Sequence, residues 1–186
     1  MKNILIVSGH PDLAHSLANK TILDETARLF PSAEIALLDS LYPTFEIDVE
    51  KEQERLTRAD IVVFQFPIMW YSSPSLLHRY VEKVFTYGFA YGAGGNQVKG
   101  KSLVLSFTSG SPAEAYSYDG AQHYPIDAFM PPFIGIASLC GMKWEDYIYT
   151  GGMNTAGADT QAKADDIRHR AVEHARRLAE VLKSLQ

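Results

Sequence analysis

The first segment with residues suited to ligand chemistry follows an apolar run near the start of the chain, residues 4–7. A Ser-Gly-His-Pro turn comes next, and Ser16 then occupies the N-cap position of a predicted helix that continues through residues 17–19. Hydroxyl and free amide donors at the positive end of a helix suit a phosphate group. A simple capped helix with surface histidines would show the same pattern. The candidate phosphate-binding residues are His10, Ser16, Leu17, Ala18 and Asn19, with His15 as a further donor.

A second loop, residues 67–74, follows the apolar run 61–66 and is unusually apolar itself. Exposed aromatic side chains at the edge of a ligand site would give a stacking wall for a planar ring. Backbone amides between the two prolines of this loop could bind the heteroatoms of such a ring. The alternative is a hydrophobic plug beneath the next helix. The candidate ring-binding residues here are Pro67, Ile68, Met69, Trp70 and Tyr71.

A third loop follows the apolar run 103–107 and begins with small residues, including a glycine that lets a ligand approach the backbone closely. Tyrosines and a histidine come next. A Tyr and a His beside a planar ring could stabilise charge that develops during a reduction, although aromatic packing at an interface would also account for them. The candidates are Thr108, Ser109, Gly110 and Ser111 for binding, and Tyr116 and His123 for catalysis.

The elements that must position these loops are predicted from the alternation of strand and helix patterns. Most of the predicted strands are continuous apolar runs, which is typical of parallel strands buried on both faces. We therefore expect an α/β fold: a flavodoxin-like doubly wound five-stranded parallel sheet of order 2-1-3-4-5 with helices on both faces. The predicted strands are 4–7, 34–38, 61–66, 103–107 and 144–149, and the predicted helices are 16–30, 49–58, 74–85, 129–140 and 162–185.

In a sheet of this type, ligands bind beyond the carboxyl ends of the strands, near the switch point between strands 1 and 3. The three loops leave those ends. We therefore predict one site, with a phosphate at the first loop and a planar ring at the second and third loops. That is the arrangement expected for a flavin.

The composition is that of a globular protein, with 186 residues of which 46% are hydrophobic and 21% charged. The length predicts one domain spanning residues 1–186. A net charge of −5 without any basic run argues against nucleic-acid binding. Scattered histidines and a single cysteine, Cys140, argue against a metal site and favour a cytoplasmic protein with a packed core thiol. No apolar stretch has the length of a signal peptide or a membrane span.

Residues 95–102 match the Gly-x-x-x-x-Gly-Lys-Ser pattern of a phosphate-binding P-loop. A P-loop follows a strand and opens a helix, so that its amides and the helix terminus face the phosphates. This segment instead precedes the predicted strand 103–107. The context therefore argues against ATP or GTP binding.

Four segments are informative in combination: Gly9-His10-Pro11, Gln65-Phe66-Pro67-Ile68-Met69-Trp70-Tyr71, Gly88-Phe89-Ala90-Tyr91-Gly92 and Thr108-Ser109-Gly110-Ser111. Together they resemble the flavodoxin-like NAD(P)H:quinone oxidoreductases, over the chain from Met1 to about Tyr149. The compact length and residues 92–96 are most similar to the bacterial branch. That branch includes the ancillary reductases of glutathione-gated potassium efflux systems and general stress oxidoreductases.

The resemblance implies a role for each loop. The family's flavin-phosphate contacts match His10 and residues 16–19, its ring-edge segment matches residues 68–71, and its second ring contact matches residues 108–111. FMN is the expected cofactor, as is common in the bacterial branch, and FAD is the alternative. Family members are dimers, so we expect a homodimer with the aromatic stretch 116–133 at its seam.

The resemblance also implies a reaction. NADH or NADPH would give a hydride to the flavin and leave, and a quinone or another planar acceptor would then take two electrons in the same pocket. The Tyr that assists hydride transfer in the animal members matches Tyr116. Its His partner falls on Gln122 when no gap is allowed, with His123 one position later, and we favour His123.

Two other functions are compatible with the sequence. In the first, the chain is a regulatory ancillary subunit that docks on a membrane potassium efflux protein, with the flavin mainly structural or a sensor. In the second, it is an electron-transfer flavodoxin. Those proteins are usually strongly acidic, so a net charge of only −5 and the crowded aromatic loops argue against the second function.

Overall fold

Five parallel strands form one sheet in the computed structural model, which describes residues 2–155 and 160–186. The strands are β1 (Ile4–Ser8), β2 (Glu34–Leu37), β3 (Ile61–Pro67), β4 (Ser102–Thr108) and β5 (Lys143–Thr150). Their order is β2-β1-β3-β4-β5, which confirms the predicted order 2-1-3-4-5. In register, Ser8 lies beside Gln65, and Gln65 lies beside Ser106.

The α-helices within the described ranges are α1 (Leu17–Leu29), α2 (Leu38–Leu41), α3 (Val49–Arg58), α4 (Ser75–Val84), α5 (Pro131–Leu139) and α6 (Gln161–Ser184). The sequence does not predict α2, because four residues are too few to show a helical repeat. The predicted helix 74–85 begins at Pro74, but in the structure Pro74 is the N-cap of α4, since its ψ of 154° is extended. α5 starts at Pro131 rather than at residue 129, because a proline is well suited to the first helical position. No helix among the described residues is long and apolar enough to cross a membrane.

The two faces of the sheet are covered by different helices, because successive strand residues point to opposite faces. Leu5 and Val7 of β1 pack in a core with residues of α3, α4 and α5. Ile4 and Ile6 pack in a second core with residues of α1 and α6. This alternation confirms that helices lie on both faces.

The face toward α1 and α6 becomes polar near the carboxyl ends of the strands. The residues that continue this face are Ser8, Gln65, Ser106 and Thr108, and each is at most 2% exposed. Buried polar groups destabilise a fold unless they are hydrogen-bonded. A buried polar layer therefore lies directly beneath the loops that the sequence singles out.

The segment that matches the P-loop pattern lies at the opposite end of the sheet. It precedes β4, as the sequence context indicates. The Lys101 ammonium donates hydrogen bonds to the carbonyl oxygens of Thr57, at 2.9 Å, and Ala59. Lys101 thus caps the carboxyl end of α3, where a positive charge is favourable.

Candidate functional site

Two adjoining clefts open at the carboxyl ends of the strands. The polar cleft, of about 320 Å³, is lined by His10, Asp12, His15, Ser16, Leu17, Ala18, Asn19, Pro67, Thr108, Ser109, Gly110, Met153, Asn154 and Thr155. The aromatic cleft, of about 230 Å³, is lined by Ile68, Trp70, Tyr71, Gly110, Ser111, Tyr116 and Gln122. Every predicted binding residue lines one of these clefts except Met69, which lines an adjoining groove. Gly110 lines both, so the three predicted loops meet in one site.

The polar cleft contains the start of α1. Ser16 is the N-cap, and its Oγ accepts a hydrogen bond from the backbone N–H of Asn19 at 3.2 Å. Backbone amides in the first turn of a helix have no partner within the helix, so those of Leu17 and Ala18 are available to a ligand. This geometry, at the positive end of the helix, suits an anionic group.

Two histidines and an aspartate set the charge of the first loop. The backbone N–H of Asp12 donates to His10 Nδ1 at 3.0 Å, so a neutral His10 ring carries its proton on Nε2. Burial lowers the pKa of His10, against the opposing effect of Asp39 and Asp12, and this favours the neutral ring. A hydrogen bond with His15 Nδ1, at 2.8 Å, lowers the pKa of Asp12. His10 therefore offers a neutral N–H donor.

A buried side chain joins the first loop to the third. Asn19 is 3% exposed, and its Nδ2 donates to Thr108 Oγ1 at 3.2 Å. The second loop is tied to the same residue, because the backbone N–H of Ile68 donates to the carbonyl oxygen of Thr108 at 2.7 Å. Thr108 is thus a common contact of all three loops.

The second loop carries its aromatic residues on a tight turn. Met69 and Ser72 exchange backbone hydrogen bonds of 2.9 and 3.1 Å, and Trp70 and Tyr71 between them have φ angles of 49° and 64°. Left-handed backbone costs about 1–2 kcal/mol for a residue with a side chain, and Asn-Gly is the preferred pair at such turns. Trp70 is 91% exposed and Tyr71 50% exposed. The loop is therefore not a hydrophobic plug beneath α4, and strained backbone holds the aromatic rings at the cleft.

Tyr116 lies in the aromatic cleft, supported by Tyr149. The Ser109 hydroxyl donates to the Ser111 carbonyl oxygen at 2.7 Å, which leaves the Ser109 oxygen to accept from the Tyr149 hydroxyl, also at 2.7 Å. Burial raises the pKa of Tyr149, so that hydroxyl keeps its proton. The Tyr116 ring packs edge-on against the Tyr149 ring, with 6.1 Å between centroids.

The structure places Gln122 and His123 in different surroundings. Gln122 lines the aromatic cleft, and its Nε2 donates to Ser111 Oγ at 3.1 Å. His123 is exposed, has a φ of 60°, and is not among the described residues that line either cleft. The physical reason is the loop geometry: the Gln122 N–H donates to the Ala115 carbonyl oxygen and turns the chain, so the side chain that follows lies outside the cleft.

A fourth segment, which the sequence analysis missed, completes the polar cleft. Met153, Asn154 and Thr155 line the cleft after β5. The N–H of Met153 donates to the Ser109 carbonyl oxygen at 2.8 Å, which anchors this segment to the third loop. The sequence signal that could have pointed to this segment is the Gly151-Gly152 pair just after β5. Gly151 is required there because a Cβ would lie only 2.6 Å from the backbone N of Ala113, so the chain passes close to the third loop.

His174 of α6 is also missing from the sequence analysis. It is fully buried, with Nδ1 2.8 Å from Thr150 Oγ1 and Nε2 2.9 Å from Ser106 Oγ. Burial, together with the positive charge of Arg177, lowers the pKa of His174 to about 3. His174 is therefore a neutral tether between α6 and the end of β5.

The two clefts have complementary chemistry. Among the residues that the structure describes, the lining of the polar cleft contains no Lys or Arg, so an anion there would be held by amide, hydroxyl and imidazole donors. The aromatic cleft is lined by the rings of Trp70, Tyr71 and Tyr116, whose flat faces suit a planar ring. A ligand with a phosphate at one end and a planar ring at the other would span both clefts across Gly110.

Comparison with known proteins identifies the family. The model of the Flavodoxin_2 family, described as having a flavodoxin-like fold, matches residues 2–175. The chain belongs to this family. General stress protein 14 of Bacillus subtilis (strain 168) is 39% identical over 179 residues, which cover 96% of each chain.

Two further relatives of this flavodoxin-like protein agree with the resemblance seen in the sequence. KefF, the ancillary protein of the glutathione-regulated potassium-efflux system of Enterobacter sp. (strain 638), is 42% identical over 141 residues, or 76% of this chain and 78% of KefF. The crystal structure of general stress protein 14 of Treponema denticola in complex with FMN has a TM-score of 0.85 and 29% identity, over 100% of both chains. The predicted likeness to the bacterial branch is confirmed.

Proposed function

We propose that this protein binds a flavin and uses it to transfer two electrons from NADH or NADPH to a quinone or another planar acceptor. The observation that carries the proposal is the continuity of the two clefts, since the cleft with amide, hydroxyl and imidazole donors and the cleft lined by aromatic rings share Gly110. The FMN complex of the Treponema denticola relative supports a flavin as the ligand. That complex also supports FMN over the alternative, FAD.

The residues of the polar cleft would hold the flavin phosphate. His10 would donate through Nε2, Ser16 through its hydroxyl, and Leu17 and Ala18 through backbone amides. The Asn19 amide donates to Ser16 Oγ, so Asn19 would act by holding that hydroxyl in place. These donors carry no formal positive charge, so the helix terminus supplies the favourable potential. The ring would lie against residues 67–71 and 108–111. The backbone N–H groups of Ile68, Met69 and Ser109 donate within the protein, so contacts with the ring heteroatoms would come from other amides of these segments.

Tyr116 is the proposed catalytic residue. A bound flavin supplies the capacity to accept a hydride and to pass on two electrons. Tyr116 would donate a hydrogen bond toward the charge that develops at the ring edge, and its packing against Tyr149 would hold the hydroxyl in place. We assign the partner position to Gln122 rather than to His123, because Gln122 lies in the cleft and contacts Ser111.

We further propose a homodimer that covers the aromatic cleft. Several aromatic side chains in or beside it are exposed, including Trp70 at 91%, Tyr118 at 72% and Tyr71 at 50%. Exposed apolar surface of this kind is typical of an interface. Sedimentation velocity should give a mass of two chains, and a monomer at micromolar concentration would contradict this part of the proposal.

The flavin and its chemistry can be tested in one preparation. The visible spectrum of the purified protein is recorded, and the flavin is then released by heat and identified. We expect FMN at about one per chain, reduction of the bound flavin by NADH or NADPH without oxygen, and reoxidation by a quinone. A colourless protein that also fails to bind added FMN would overturn the proposal.

The likeness to KefF supports a second candidate function, that of a regulatory ancillary subunit of a membrane potassium efflux protein. This function predicts co-purification with such a transporter from the same organism. Turnover with quinones separates the two candidates: a purely regulatory subunit binds FMN but shows no NAD(P)H-dependent quinone reduction.

A further inference from the structure

We propose that Gln65 is a positioning residue that sets the direction of the hydrogen bonds in the polar cleft, an inference that rests on the proposed flavin function. Gln65 lies near the carboxyl end of β3, on the face of the sheet that becomes polar there, and is fully buried. It is not among the described residues that line the cleft. Its Nε2 donates to Asn19 Oδ1 at 2.6 Å, so it acts on the cleft through Asn19.

The bond from Gln65 decides what Asn19 can do. With Oδ1 occupied, the Asn19 carboxamide turns Nδ2 toward the two hydroxyl groups of the cleft, at 3.4 Å from Ser16 Oγ and 3.2 Å from Thr108 Oγ1. Ser16 Oγ then accepts a hydrogen bond from Asn19, and its own hydrogen remains for the cleft. Thr108 Oγ1 also lies 3.4 Å from Asn19 Oδ1, but Gln65 Nε2 is much closer to that oxygen, at 2.6 Å. Thr108 Oγ1 therefore accepts from Nδ2 in the shorter bond, and its hydrogen can also turn toward the cleft. A phosphate oxygen can only accept. Through Asn19, Gln65 therefore leaves the hydroxyl groups of the cleft free to donate, which is what binding of a phosphate requires.

The burial of Gln65 supports a role beyond stability. Its Oε1 has no hydrogen-bond partner among the described residues. A buried carboxamide with an unsatisfied oxygen destabilises the fold, and an apolar side chain of similar size would avoid that cost. The contact with Asn19 thus has a better explanation in the cleft than in the stability of the sheet.

Neighbouring Ser106 provides a matched control. It lies beside Gln65 in the sheet register, points to the same face and is also fully buried. Its hydroxyl contacts His174, at 2.9 Å, rather than Asn19. Ser106→Ala therefore removes a buried polar contact at the same depth without touching the Gln65–Asn19 bond.

The test compares FMN with riboflavin, which has the same ring without the phosphate. Flavin fluorescence is followed while the flavin-free protein is titrated, for the wild type, Gln65→Met and Ser106→Ala. Gln65→Met keeps the length of the side chain but removes the donor. We expect the Kd for FMN to rise about tenfold in Gln65→Met, with the Kd for riboflavin unchanged within about twofold. In Ser106→Ala the ratio of the two Kd values should be that of the wild type.

Each outcome decides a separate point. Equal weakening of both flavins in Gln65→Met, or no change in either, would overturn the role of Gln65. A wild type that binds neither flavin would instead refute the proposed function. If circular dichroism shows that Gln65→Met is unfolded, Thr108→Val tests the same direction of donation from the cleft side. Thr108→Val should raise the Kd for FMN and leave the Kd for riboflavin unchanged. An unchanged Kd for FMN in this variant would overturn the proposal.

Discussion

The polar cleft and the aromatic cleft meet at Gly110 but are held in place in different ways. In the polar cleft, Asn19 and Thr108 are 3% and 2% exposed and are hydrogen-bonded to each other at 3.2 Å. In the aromatic cleft, Trp70 is 91% exposed and lies on left-handed backbone. Burial and hydrogen bonds fix the donors of the first cleft, whereas a strained turn presents the rings of the second.

This difference separates two tasks under the proposed function. Donors that are already fixed lose little freedom on binding, so the polar cleft is suited to holding one ligand tightly. Exposed apolar rings suit molecules that enter and leave in turn, or the surface of a second subunit. The ring end should therefore control turnover, and the phosphate end should control affinity. The following predictions test that division.

Removing the Tyr116 hydroxyl should have the largest effect, and only on the reaction. Tyr116→Phe should reduce the bound flavin about 100-fold more slowly, the size expected when a group that stabilises developing charge is lost. Stopped-flow absorbance under anaerobic conditions with NADH measures the rate. The Kd for FMN should stay the same. His123→Ala serves as the control, with a rate equal to that of the wild type. A full rate in Tyr116→Phe would show that the Tyr116 assignment is wrong.

Low pH should destabilise the fold through His174, which holds α6 to the strands beneath the polar cleft. The folded protein keeps His174 neutral down to a pKa of about 3, whereas the unfolded chain takes up a proton below its ordinary value of 6.5. The unfolded state binds more protons than the folded state in this window. The free energy of unfolding should therefore decrease as the pH is lowered, by up to about 1.4 kcal/mol per pH unit from this group. Urea unfolding between about pH 7 and 5 measures the slope.

His174 and His169 both lie on α6, so their replacements provide a matched test of this pH dependence. His174→Gln should make the slope shallower, because the titrating group is gone. His169→Gln, at an exposed position of α6, should keep the slope of the wild type. The account of His174 fails if its replacement and that of His169 give the same pH dependence.

Relieving the backbone strain at Trp70 and Tyr71 should increase stability and decrease activity. Replacing Trp70 and Tyr71 with Asn and Gly, the pair preferred when both φ angles are positive, should raise the free energy of unfolding by about 1–2 kcal/mol. Quinone reduction should fall because the ring wall is lost. Tyr87→Asn, at a residue that is 66% exposed elsewhere, is the control. It removes an edge-on contact with Tyr91, so it should not raise stability, and quinone reduction should stay the same. A double variant without any gain in stability would mean that the turn stores no strain.

The helix caps provide the smallest and most selective comparison. Ser16 caps α1 in the polar cleft and Asp48 caps α3, each by accepting a backbone hydrogen bond at 3.2 Å. Replacement of either residue with Ala should lower the free energy of unfolding by about 1 kcal/mol. Only Ser16→Ala should also weaken FMN binding, by about fivefold. If Asp48→Ala weakens FMN as much as Ser16→Ala does, the cap of α1 has no special role in binding.

The fold was largely predictable because it depends on local patterns. Short apolar runs such as residues 61–66, cut by a proline, are typical of strands buried on both faces, and the order of elements then limits the sheet to few topologies. The three loops could be found because they follow those strands. Gln65, His174 and residues 153–155 were missed because their importance comes from tertiary contacts with Asn19, Ser106 and Ser109. Residue type favours His123 over Gln122, whereas the turn that brings Gln122 into the cleft depends on loop geometry that the sequence does not show.

The most direct test of the whole account is the affinity of the wild-type protein for two flavins that differ only in the phosphate. Isothermal titration calorimetry of the flavin-free protein with FMN and with riboflavin measures both dissociation constants. A polar cleft that holds the phosphate predicts FMN binding at least about 100-fold tighter, which corresponds to about 2.7 kcal/mol. Equal affinities, or no binding of either flavin, would contradict the account.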